Sequence, residues 1–312
     1  MNTTQSDPKR FPACIMATCV VPWDERGDLI EPLFVDQVRA SLRLTPHLYV
    51  FGTAGEGHAV SDRQFERVAG VFHETMRAGG AEAIVGVISL SLATIIERIA
   101  WCRELGVRRF QISLPSWGEL SDAEAGVFFR EVCGRFRDCE FMHYNLMRAK
   151  RLITPEQYGV LAAEHPNLVA TKNSTDSITR LRGLLECAPQ LQHFFNEDGY
   201  TYASPLGECS LLASITTNHA MCRAFFEAGQ HGDVPRLHEL NGQMAQLIAA
   251  LIRAAGPGCR IDAAFDKMLW KLQDERFPLR LLPPYEGASD TAFRQFADAV
   301  RAQTPGWLPA TP

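Results

Sequence analysis

The chain has 312 residues, 46% of them hydrophobic and 21% charged, with a formal net charge of −5. That is ample for one large α/β domain with an appendage, or for two ordinary domains. The weakly acidic balance, without a basic block or an aromatic-basic stripe, excludes the nucleic-acid-binding classes, and no uninterrupted apolar run is long enough to cross a bilayer.

The first ten residues are polar and lack the apolar stretch of a signal peptide, and the apolar run 247–255 is broken by Arg253. Nine scattered cysteines, never spaced Cys-x-x-Cys, point to the reducing cytoplasm as the expected location. Short apolar runs predict strands at 13–19, 48–51, 83–87, 109–114, 140–144, 168–171, 191–195 and 211–215. Helical patterns lie between them. Three open on capping boxes, Ser61 with Gln64, Ser121 with Glu124, and Thr154 with Gln157, the last with Pro155 at the first helical position. Gly106 stops another helix just before its strand.

Strand–helix units repeated at this spacing predict an α/β fold, a (β/α)8 TIM barrel, over residues 12–232. An open doubly wound sheet is the competitor, weakened because no Gly-x-Gly-x-x-Gly turn follows the first strand. After about residue 218 the strand signal ends. Helices are expected at 221–230, 234–255, 261–274 and 289–303, so the barrel carries a C-terminal helical extension over 233–304.

In such a barrel, chemistry belongs at the C-terminal ends of the strands. Lysine is scarce here, five residues against 26 arginines, yet Lys172 ends an apolar run. Arginine does not lose its proton in a protein. A desolvated lysine can, and only a neutral amine attacks a carbonyl. Period-two alternation puts Met142 and Tyr144 on one face of their strand and Phe141 and His143 on the other. An inward Tyr144 would sit one strand from Lys172, with the small Ala170 leaving room below the amine. The second strand runs into Gly52, Thr53, Ala54, Gly55 and Glu56, small residues whose N–H groups can approach a carboxylate before the helix capped by Ser61. Glu56 itself reads as a carboxylate that fixes its own loop. Neither a metal nor a cofactor is implied, since the histidines show no His-x-His or His-Glu-x-x-His spacing.

Together these segments resemble the dihydrodipicolinate synthase / N-acetylneuraminate lyase family of class I aldolases. The run from Gly52 to Glu56 resembles that family's Gly-Thr/Ser-Thr-Gly-Glu loop. Tyr144 and Asn145 match its Tyr-Asn pair, and Leu168 to Lys172, followed by Asn173 and Ser174, resembles its lysine-bearing strand. The segment Ser214, Ile215, Thr216, Thr217 and Asn218 also follows the family order. The resemblance spans essentially the whole chain. It implies a Schiff-base lyase acting on pyruvate or a related 2-oxo acid, by aldol condensation or cleavage through a lysine imine and enamine. Lys172 would form the imine, Tyr144 would shuttle protons and Thr53 would hydrogen-bond that tyrosine. The carboxylate would rest on the backbone of Gly52, Thr53, Ala54 and Gly55, with Trp117, Arg148 and Ser214 as further substrate contacts.

Three departures from the family pattern bear on the substrate. Ala54 replaces a hydroxyl residue, and Trp117 stands where dihydrodipicolinate synthases carry a tyrosine that reaches a neighbouring subunit. Ala149 occupies the position of the arginine that grips the second substrate, leaving Arg148, Lys150 or Arg151 as substitutes. A 2-keto-3-deoxy sugar acid dehydratase or hydratase-aldolase is therefore an alternative on the same scaffold, and a non-catalytic barrel that binds a 2-oxo acid is a second. The expected partners are a small 2-oxo acid, an aldehyde and further copies of the chain in a dimer or tetramer, with no nucleic acid and no membrane.

Overall fold

The computed structural model describes residues 8–175 and 177–310. Eight strands, β1 (Ile15–Cys19), β2 (Leu48–Val50), β3 (Ile84–Gly86), β4 (Arg109–Ile112), β5 (Glu140–Asn145), β6 (Leu168–Asn173), β7 (Gln192–Phe195) and β8 (Ser210–Ala213), form a closed barrel in chain order. Helices α1 (Glu31–Leu42), α2 (Asp62–Ala78), α3 (Leu92–Leu105), α4 (Asp122–Cys133), α5 (Pro155–Glu164), α6 (Ile178–Cys187), α7 (Glu197–Ala203) and α8 (His219–Gln230) alternate with them. Three more follow: α9 (Val234–Ala255), α10 (Asp262–Gln273) and α11 (Asp290–Gln303). The barrel with a helical extension is thus the architecture that the strand–helix alternation implies. All three capping boxes are present, at Ser61, Ser121 and Thr154. Gly106 ends α3 in the left-handed conformation, φ 104°.

Contacts divide the chain into two compact units. The first comprises the residues up to Met16 with Gly86–Leu212. Here β4 to β8 pair in parallel. Val87 N–H donates to the Gln111 carbonyl at 3.0 Å, and Leu211 N–H donates to the Cys14 carbonyl at 3.1 Å.

The β5–β6 ladder contains an irregularity that matters. Phe141 lies opposite Leu168, but Met142 lies opposite Ala170, a shift of one residue. Continued without the shift, the first register would set Tyr144 against Thr171. With it, Tyr144 stands opposite Lys172, and Lys172 opposite Phe194. The same row one step toward the strand N-termini is Gln111, Met142, Ala170 and Gln192.

The second unit comprises Ala17–Val85 and Ala213–Pro312. Its part of β1 pairs with β2, and β2 with β3. α9 packs against α8, α10 and α11. Asp233 caps α9 by accepting from Arg236 N–H, and Leu237, Leu240, Met244, Leu247 and Leu251 bury one stripe of the helix at helical spacing. Beyond α11, the buried Trp307 is held by its carbonyl, which accepts from Thr217 Oγ1 at 2.6 Å. No helix among the described residues is long and apolar enough to cross a membrane.

Candidate active site

Lys172 lies inside β6 rather than just past it, because its pairing with Tyr144 and Phe194 carries the ladder on to Asn173. It is 4% exposed. Its Nζ sits 3.7 Å from the centroid of the Tyr144 ring and donates to Gln111 Oε1 at 3.5 Å. Tyr144 is also 4% exposed and Gln111 is fully buried. The amine therefore meets an aromatic face and a carboxamide oxygen on the inner side of the sheet. An amine held against such groups attacks a carbonyl only in its neutral form.

The opposite faces of these strands are polar and point toward the helices. His143 Nδ1 and the hydroxyl of Tyr158 on α5 share a hydrogen bond of 2.6 Å. Burial pushes His143 down to about 3, so it is a neutral ring at physiological pH. His193 is likewise pushed down to about 3, first by burial and then by Lys9, and it joins Thr171 Oγ1 at 2.7 Å and the Ala188 carbonyl at 3.0 Å. Asn173 Nδ2 donates to Thr171 Oγ1 at 2.8 Å. Asn145 exchanges hydrogen bonds with Ile153, accepting its N–H at 2.9 Å and donating to its carbonyl at 3.0 Å. These bonds pin the ends of β5 and β6 from outside, so the alternating residues Tyr144 and Lys172 are aimed inward.

In the second unit the loop 52–57 is wholly buried. Glu56 N–H donates to the Thr53 carbonyl at 3.1 Å, and Gly57 N–H to the Gly52 carbonyl at 3.2 Å. A Cβ on Gly55 would lie 2.6 Å from Phe51 N, so only glycine lets the loop close on itself. Phe51 and Glu56 both take positive φ, 65° and 58°, a conformation that side-chain-bearing residues avoid. Glu56 is anchored at both oxygens. Oε1 accepts from Trp23 Nε1 at 2.9 Å and from Lys267 Nζ at 2.6 Å, and Oε2 accepts from Leu282 N–H at 2.7 Å. Ala54 joins the apolar cluster of Val20, Leu33, Trp270 and Phe277, so a methyl there serves packing.

The other candidates are more exposed. Trp117 follows β4 and is 81% exposed, with its carbonyl accepting from Lys150 Nζ. Of the three basic residues after Tyr144, Arg151 is committed to the Leu120 carbonyl at 2.6 Å and to Asp122 at 2.7 Å, and Lys150 to Trp117. Arg148 is exposed on the short 3-10 turn Met147–Ala149. Ser214 is exposed just beyond β8. Two residues escaped the sequence reading. Gln111 is a polar residue at an inward position of an apolar strand, and Lys267 is another of the five lysines, set in an apolar helix. Among the described residues, no three His, Cys, Asp or Glu side chains come together as metal ligands.

Residues 12–300 match the family described as "Dihydrodipicolinate synthetase family". A 4-hydroxy-tetrahydrodipicolinate synthase of Exiguobacterium sibiricum is 24% identical over 268 residues, spanning 83% of this chain and 88% of its own length. The fold is similar to that of YagE, a prophage protein of the dihydrodipicolinic acid synthase family from E. coli K12 solved in complex with pyruvate. The TM-score is 0.83 at 17% identity, covering 93% of this chain and 98% of that one. A sialic acid aldolase from Ruminococcus gnavus, solved as a catalytic lysine mutant, is similar with a TM-score of 0.80 at 15% identity, covering 93% of this chain and 97% of that one.

Proposed function

The chain belongs to the dihydrodipicolinate synthetase family, and on that premise we propose that it is a class I lyase that forms a Schiff base between Lys172 and pyruvate or a related 2-oxo acid. The observation that carries this reading is the buried amine of Lys172 lying 3.7 Å from the centroid of the Tyr144 ring. A buried lysine beside an ionisable phenol has a use in imine chemistry that it lacks in simple binding. Nζ attacks the C2 carbonyl, Tyr144 carries protons during carbinolamine formation and collapse, and the protonated imine draws electrons from the neighbouring carbon to give an enamine. The N–H groups of Thr53 and Ala54 are the carboxylate donors in this proposal, on a loop whose backbone Glu56 holds in place. Trp117 and Arg148, both exposed, are offered to the second reactant. Exposed Trp117, at the position that the family resemblance puts near a dimer interface, makes a homo-oligomer part of the same proposal.

The test is borohydride reduction in the presence of pyruvate and a panel of other 2-oxo acids, followed by peptide mass spectrometry. A reduced adduct on Lys172 that disappears in Lys172→Arg supports the reading, because arginine keeps the charge and cannot form an imine. No adduct with any member of the panel favours a barrel that only binds.

A further inference from the structure

Gln111 has one satisfied end and one unsatisfied end. Its Oε1 accepts from Lys172 Nζ at 3.5 Å. The oxygen end of the carboxamide is the one that meets the amine, which leaves the NH2 end over. That Nε2 is buried without a hydrogen-bond partner among the described residues. Buried amide donors are rarely left so, because in the unfolded chain water satisfies them. The position is not incidental packing either. Gln111 shares a row with Met142 and Ala170, one step toward the strand N-termini from Tyr144 and Lys172.

We infer that the Gln111 carboxamide binds the carbonyl oxygen of the 2-oxo acid that Lys172 attacks, with Nε2 as donor, while Oε1 steadies the amine. The inference rests on Lys172 being the imine-forming residue. In the step concerned, the Nζ lone pair forms the N–C2 bond and the carbonyl π pair moves onto oxygen. A proton released by the nitrogen reaches that oxygen through Tyr144, giving the carbinolamine. A second proton then lets the hydroxyl leave as water while the C=N bond forms. The amide loses no proton at any point. Its hydrogen bond strengthens as charge gathers on oxygen, so it favours the transition state over the bound ground state.

Gln111→Met has similar volume and removes both ends of the amide. The time course of borohydride-trapped Lys172 adduct, taken across 2-oxo acid concentrations, separates half-saturation from the maximal rate. The expected result is a maximal rate lowered about a hundredfold, with a thermal midpoint unchanged or raised, since an unmatched buried donor has been removed. Gln111→Glu, which keeps an oxygen toward the lysine but has no Nε2 donor, is expected to trap slowly as well. Wild-type maximal rate in either variant overturns the inference, as does an effect confined to half-saturation. No adduct in the unmodified chain sinks the imine reading and this inference together. A normal adduct in the unmodified chain, with unslowed variants, sinks this inference alone.

Discussion

Glu56 and Lys267 meet as a fully buried ion pair at 2.6 Å, with side-chain exposures of 1% and 0%. One partner ends the glycine loop and the other lies on α10, so the helical extension is bolted to the backbone that carries Thr53 and Ala54. Burial lowers Lys267 to about 8, and Glu56 works against that fall, so the lysine keeps its proton at neutral pH. The two positive-φ residues of the loop, Phe51 and Glu56, hold strain that such a network is able to restrain.

Removing one partner of this pair leaves the other charged and buried. Lys267→Met is therefore expected to cost about 3–5 kcal/mol of stability, read from urea unfolding. The Glu56→Gln/Lys267→Met double variant should lose less than the sum of the two single variants, by about 1 kcal/mol or more. Strict additivity would show that the two side chains do not act as a pair.

Tyr144→Phe keeps the ring beneath Lys172 Nζ and removes only the phenolic O–H. Imine trapping should slow by about 10²–10⁴-fold, the usual contribution of a positioned proton carrier, with the thermal midpoint little changed. An unslowed rate in pre-steady-state trapping would assign proton transfer to another group.

The two buried histidines predict acid sensitivity. Folded His143 and His193 titrate at about 3, against an ordinary value of 6.5. Between those values the unfolded chain binds protons that the folded chain refuses, so stability is full above 6.5 and falls as the pH drops toward 3. At pH 5 the loss is about 2 kcal/mol for each ring. Urea midpoints measured from pH 7 to pH 5 should show it, and His143→Gln should lessen the slope by one proton's worth. A flat profile over that range refutes the claim that the rings stay neutral.

No disulfide joins two cysteines among the described residues, where Cys187 is the exposed one. Burial pushes the thiols of Cys14, Cys133 and Cys209 up to about 12. Thiol titration of the native protein should label one cysteine quickly and the rest only after denaturation. Rapid labelling of several would mean that the strand and helix interiors open readily.

Much of the candidate site was open to local reading. Capping residues, strand parity and the scarcity of lysine are properties of neighbouring positions, and they led to Lys172, Tyr144 and the glycine loop. Glu56 also proved to be a loop anchor, as its place in that loop suggests. Its partners were out of reach, because Trp23, Lys267 and Leu282 are brought to it from distant parts of the chain. Gln111 was passed over because one glutamine in an apolar strand acquires meaning only from what lies beside it.

The amino-acid order by itself determined the periodicities, the helix starts and stops, and hence a barrel with a helical tail. Those follow from interactions over a few residues. Only the tertiary structure decided that Tyr144 stands opposite Lys172, since this depends on a one-residue shift between β5 and β6. Pairing register is settled by contacts between strands and by how both pack against the helices behind them. No count along a single strand contains that information.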